Sequence, residues 1–204
     1  MKELKYILLA LMMLPLTLAV SSCSEENEDE DEFVNWQVRN DEIQSQWANN
    51  SSLKKIKAYT MDPNTAGGIS DYVYVESLDG TEISIEDDLF MPIFTDTCRV
   101  AYRGYLIPSK SYPNGYIFDQ SYLGDFKWTT AAPDTRVCSG FVVGFTTALM
   151  KMHVGERWRV YIPYQLAYGS NSSTSYPAYS NMIFDIALFE KWKARDIVPP
   201  FKTR

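Results

Sequence analysis

Histidine is nearly absent from this 204-residue chain, cysteine occurs three times, and positive charge is in deficit, with 19 Lys and Arg against 26 Asp and Glu. Each shortage excludes something. The single histidine, His153, has no cysteine or carboxylate beside it at ligand spacing, so it reads as a surface residue rather than a metal ligand or general base. A net charge of −7 argues against nucleic acid, whose phosphates call for clustered Lys and Arg. No Gly-x-Ser-x-Gly, phosphate loop or dinucleotide fingerprint occurs, which removes the usual signatures of hydrolases, kinases and dehydrogenases. No internal repeat is evident, and low complexity is confined to residues 24–32.

The one long apolar run opens the chain. Lys2 and Lys5 precede Tyr6–Val20, and the small residues Ser21 and Ser22 follow. The run falls short of the roughly 20 residues a spanning helix needs, and Pro15 interrupts it, so residues 1–22 read as a removable signal peptide. Val20-Ser-Ser-Cys23 resembles the lipobox of bacterial lipoproteins, which implies that Cys23 becomes a lipidated N-terminus; an ordinary signal peptide is the plainer alternative. Several acyl chains, at ~0.8 kcal/mol per buried methylene, would make such an anchor durable. Residues 23–32 form an acidic linker that cannot bury apolar surface. An acidic run in this place resembles that of lipoproteins sent to the outer face of the outer membrane, or serves as a plain spacer. The expected location is therefore the outer membrane, lipid-anchored, on the periplasmic side or at the cell surface.

With 46% hydrophobic and 14% aromatic residues, the remainder has material for one core and an appendage. Phe33, Trp36, Ile43 and Trp47 recur at helical spacing, predicting a helix over 33–50 that either packs on the main domain or offers a partner surface. Residues 33–68 are read as a helical extension, 69–194 as the main domain and 195–204 as an extended tail. Strands are predicted at Tyr72–Glu76, Cys98–Gly104, Tyr116–Phe118, Phe126–Trp128, Arg157–Ile162 and Met182–Phe189, several alternating as an antiparallel sheet with one wet face does. Phe145, Leu149 and Met152 fall instead at i, i+4 and i+7, predicting one short helix. The sum is an α+β domain. Cys98 and Cys138 are permitted a disulfide in an exported protein, though spacing alone does not show them adjacent.

Four blocks, in order, resemble the FKBP family of peptidyl-prolyl isomerases. They are Val100-Ala-Tyr-Arg-Gly-Tyr-Leu106 with Gly115-Tyr-Ile-Phe-Asp-Gln-Ser121; Phe141-Val-Val-Gly-Phe through Gly155; Ile162-Pro-Tyr-Gln-Leu-Ala-Tyr-Gly169; and Tyr176-Pro-Ala-Tyr-Ser-Asn-Met-Ile-Phe-Asp-Ile-Ala-Leu188. The resemblance covers roughly residues 69–192. It implies an FKBP-like antiparallel sheet wrapped around one short helix, here with an N-terminal helical extension. It also implies activity on Xaa-Pro segments of exported polypeptides, with neither cofactor nor metal.

That reaction needs no nucleophile. Amide resonance opposes rotation by ~18–20 kcal/mol, and an apolar pocket favours the twisted amide over its planar, polar ground state. Carried over by motif, the pocket comprises Tyr102, Phe126, Phe141, Val142, Phe145, Tyr176 and Phe184, with Phe145 as its floor. Asp119, Tyr168 and Phe118 stand nearest the chemistry. Taken singly, these residues also read as core aromatics and turn residues. Three departures mark the chain. Phe145 stands where the family has tryptophan, the arginine that follows the Phe-Asp motif is missing from Tyr122–Asp125, and Ile107–Asn114 lengthens one connection. Two readings follow: a working isomerase, or a binding module that grips Pro-containing chains with little turnover.

Overall fold

Along β6 (Arg157–Ile162), Trp158, Val160 and Ile162 are fully buried while the residues between them are not. In β7 (Met182–Trp192), Met182, Phe184, Ile186 and Leu188 turn to the same core, as the two-residue period of a strand requires. The computed structural model describes residues 32–84, 86 and 88–202; the predicted signal segment, Cys23 and the acidic run to Asp31 lie outside the described residues. Five further strands are β1 (Lys54–Lys57), β2 (Tyr72–Ser77), β3 (Thr97–Tyr105), β4 (Ile117–Gln120) and β5 (Asp134–Val137). They form one antiparallel sheet in the order β1-β2-β6-β7-β3-β4, with β5 also pairing β3. A short helix, α2 (Val143–Leu149), crosses one face and buries Phe145, Ala148 and Leu149 in the core. Met152 reaches the same core from the turn that follows the helix.

The N-terminal helix, α1 (Trp36–Asn49), begins after a turn at Phe33–Asn35 and packs on the main unit. Trp36 and Trp47 are buried as the spacing suggested, but Asn40 and Gln44 are buried between them. Their polarity is matched by Asn181, immediately before β7. Its backbone N–H donates to Asn40 Oδ1 at 2.8 Å, its amide donates to the Asn40 carbonyl at 2.7 Å, and its Oδ1 accepts from Gln44 Nε2 at 2.8 Å. Trp36 Nε1 donates to Ser180 Oγ at 2.7 Å. A buried polar group stripped of its partner costs about 1–3 kcal/mol, so the network fixes where α1 can dock.

Several expectations need correction. Residues 33–68 are not wholly helical: Lys54–Lys57 is strand β1, paired to β2 at the sheet edge. Phe126–Trp128 is no strand, and Asp134–Val137, too short and polar to show alternation, is one. The second sheet face is not wet either. Asp185 and Ala187 are buried there, under a cluster of Tyr122, Phe126, Trp128, Phe189 and Phe201. Asp185 is compensated by a bidentate bond from Arg159, at 2.7 and 2.9 Å, with Arg157 at 3.6 Å. His153 is half-buried rather than a bare surface residue, and it has carboxylate partners: Nε2 lies 2.7 Å from Asp88 and Nδ1 3.5 Å from Glu156. Cys98 and Cys138 are buried free thiols beside each other, and the hydrogen bond with Cys138, then burial, push the Cys98 thiol up. Among the described residues no helix is long and apolar enough to cross a membrane.

Candidate active site

Strands, a turn, a helix and a loop meet at one cavity. Strand β3 supplies Tyr102, and two residues on, Gly104 pairs with Phe184 of β7 on one side and Asp119 of β4 on the other. A Cβ on Gly104 would lie 2.7 Å from both the Phe118 and Phe184 rings. Glycine is therefore needed for the two rings to meet edge-on, with centroids 5.4 Å apart. The turn Cys138–Gly140 then delivers Phe141 and Val142 to the start of α2, and Phe145 follows one turn later. Tyr168 comes from the loop after β6.

The cavity holds about 250 Å³ and is lined by Tyr102, Asp119, Phe141, Val142, Phe145, Tyr168 and Phe184, with Gly140 and Arg136 at its rim. Phe118 and Tyr176 do not line it but back it. Tyr176 stacks on Tyr168 at 4.7 Å and meets Phe118 edge-on at 5.9 Å. Phe126 is the misplaced residue. It lies on the opposite sheet face, with Tyr122 at 5.4 Å and the Arg157 guanidinium 4.4 Å from its ring centroid, and forms no wall of this cavity. Phe145 is only 1% exposed, because Phe141 stacks on it at 4.2 Å with planes 13° apart.

Tyr102 Oη donates to Asp119 Oδ2 at 3.1 Å, holding the carboxylate that lacks the family's arginine. Burial, then the nearby Asp119 charge, pushes the Tyr102 hydroxyl up to about 12. Tyr168 is likewise raised, first by burial and then by Tyr176 and Asp119. Both phenols thus stay protonated donors in neutral solution. The Val142 N–H has no acceptor among the described residues, and its carbonyl accepts from Thr146 N at 3.0 Å. One exposed carboxylate, two hydroxyls and a free amide thus border an apolar cavity, which suits an uncharged group with a carbonyl.

Arg136 was not legible beforehand, because no spacing rule picks one arginine from a short polar strand. The insertion Ile107–Asn114 faces away from this site. Pro108, Pro113 and Asn114 border a separate cavity of about 500 Å³ against α1, on the outer sheet face.

The antiparallel sheet wrapped on one short helix, with its aromatic cavity at the helix N-terminus, defines an FKBP-like fold. The structure of FkpA from Escherichia coli superposes on it with a TM-score of 0.55 at 21% identity, over 95% of this chain and 73% of that one. Residues 92–189 match the family model described as FKBP-type peptidyl-prolyl cis-trans isomerase. The macrophage infectivity potentiator of Trypanosoma cruzi is 38% identical over 98 residues, which is 48% of this chain and 44% of that protein. The FKBP-type 22 kDa peptidyl-prolyl cis-trans isomerase of Escherichia coli K12 is 34% identical over 101 residues, 49% of this chain and 43% of that protein. The chain thus spans less than half the length of these two relatives.

Proposed function

We propose that the chain is a peptidyl-prolyl cis-trans isomerase that speeds the folding of exported or envelope proteins by acting on their accessible Xaa-Pro segments. The observation that carries this reading is the convergence of Tyr102, Asp119, Val142, Tyr168 and Phe184 on one small aromatic cavity. Its walls are mostly aromatic, and the twisted amide, having lost charge separation, is favoured there over the planar one. Tyr168 Oη and the free Val142 N–H donate to the substrate carbonyl as the bond turns, and Asp119, oriented by Tyr102, faces the amide nitrogen side. Tyr168→Phe deletes one hydroxyl. The expected result is an about two- to tenfold fall in kcat/KM, the weight of one neutral hydrogen bond, with peptide affinity little changed. Equal losses in rate and affinity would make the hydroxyl a binding group only.

The second reading, a module that grips Pro-containing chains with little turnover, draws support from Phe141 covering Phe145. A measurable wild-type rate decides against it. We further propose that lipid on Cys23 tethers the domain to the outer membrane, on the periplasmic side or at the cell surface. The support is the Val20-Ser-Ser-Cys23 sequence alone. Fatty-acid labelling should mark the wild type and not Cys23→Ala, which should leave the membrane fraction; equal labelling of both would refute the anchor.

A further inference from the structure

We infer that Arg136 is a displaceable cover over the surface on which the substrate's proline ring rests, and that this surface is Phe141 rather than the buried Phe145. The inference rests on the isomerase reading above. Three groups are layered at the cavity. Phe145 lies beneath, with Tyr102 and Phe184 meeting it edge-on at 5.8 and 5.2 Å. Phe141 lies parallel on it at 4.2 Å. The Arg136 guanidinium lies over Phe141, 5.1 Å from the ring centroid. Since Phe145 occupies one face of Phe141, the guanidinium occupies the other.

The rim is shaped for this arrangement. A Cβ on Gly140 would stand 2.9 Å from both Cγ and Cδ of Arg136, so the missing side chain is what lets the arginine stem lie along the turn. Among the described residues the head's ion-pair partner is Asp134, at 2.9 Å, in a pair whose side chains are 49% and 35% exposed. Such exposed pairs add little, so the head can leave cheaply. A proline ring seeks the same place for the same reason. Its C–H groups beside the nitrogen carry partial positive charge, and an aromatic face carries negative charge. Guanidinium and pyrrolidine therefore compete for one face of Phe141, and Phe141 covers the face of Phe145 on which it stacks.

The test is the dissociation constant of a fluorescent Ala-Leu-Pro-Phe peptide for the full-length chain, read by anisotropy, alongside its isomerisation rate. Arg136→Ala should tighten binding two- to fivefold, which converts to ~0.5–1 kcal/mol, the range of an exposed cation–π contact. Arg136→Gln, which keeps a stem but loses the cation, should tighten it in the same direction. Phe141→Leu should weaken binding about fivefold or more, since a flat aromatic face is lost. Circular dichroism checks that each variant is folded. Equal or weaker binding by both Arg136 variants, in a chain whose wild type binds and turns over peptide, overturns the cover and leaves the isomerase reading in place. A wild type that neither binds nor isomerises the peptide overturns both.

Discussion

Tyr102 and Phe145 show how single residues set the site. Tyr102 contributes an aromatic edge to Phe145 and a hydroxyl to Asp119, so one side chain builds wall and rim together. Phe145 is closed in by Phe141, which leaves no room for a larger ring. Phe145→Trp, the residue the family resemblance would suggest, should therefore destabilise the chain by about 1–3 kcal/mol through overpacking. Adding Phe141→Val should restore most of that loss. Denaturant unfolding of both variants reads this directly, and additive effects would mean that the two rings do not share one space. At this scale much of the site was legible, because Tyr102, Asp119, Val142, Tyr168 and Phe184 each sit in a block of several specified neighbours. Phe126 went astray because its Phe-Lys-Trp alternation fits a strand, while its ring is captured by Tyr122, Phe189 and Arg157 on the far face.

At the scale of elements, the instructive case is α1. Apolar spacing locates Trp36 and Trp47, yet the helix is held by Asn40 and Gln44, which no hydrophobic pattern reveals. Asn40→Ala should cost about 1–3 kcal/mol, since it strands the Asn181 N–H in a buried site. Gln46→Ala, exposed on the same helix, should stay within about 0.5 kcal/mol. Thermal unfolding compares them, and equal shifts would deny the network its docking role. The strands were legible where both partners are long, as in β3, β6 and β7. β1 and β5 were not, because four polar-rich residues take their conformation from the strand beside them rather than from their own pattern.

For the molecule as a whole, the sheet serves two faces. One carries α2 and the candidate active site; the other is covered by α1, by the Ile107–Asn114 connection across the 500 Å³ cavity and by the aromatic cluster. Ordinary antiparallel sheets leave one face to water, and here the additions outside the α2 core cover it instead. The covering explains why an aromatic content of 14% exceeds what one small cavity uses. It also makes rigid the two strands, β3 and β7, that carry Tyr102 and Phe184 on their opposite sides.

The central claim is that this cavity lowers the barrier to rotation about Xaa-Pro bonds. The direct measurement is a protease-free assay in which an Xaa-Pro peptide, enriched in its cis isomer, relaxes to trans with and without the purified full-length chain. The account predicts a relaxation rate that rises linearly with the concentration of wild-type chain and falls by about two- to tenfold per molecule with Tyr168→Phe. A relaxation rate identical to that of the peptide alone, from a chain shown to be folded and to bind the peptide, would contradict it.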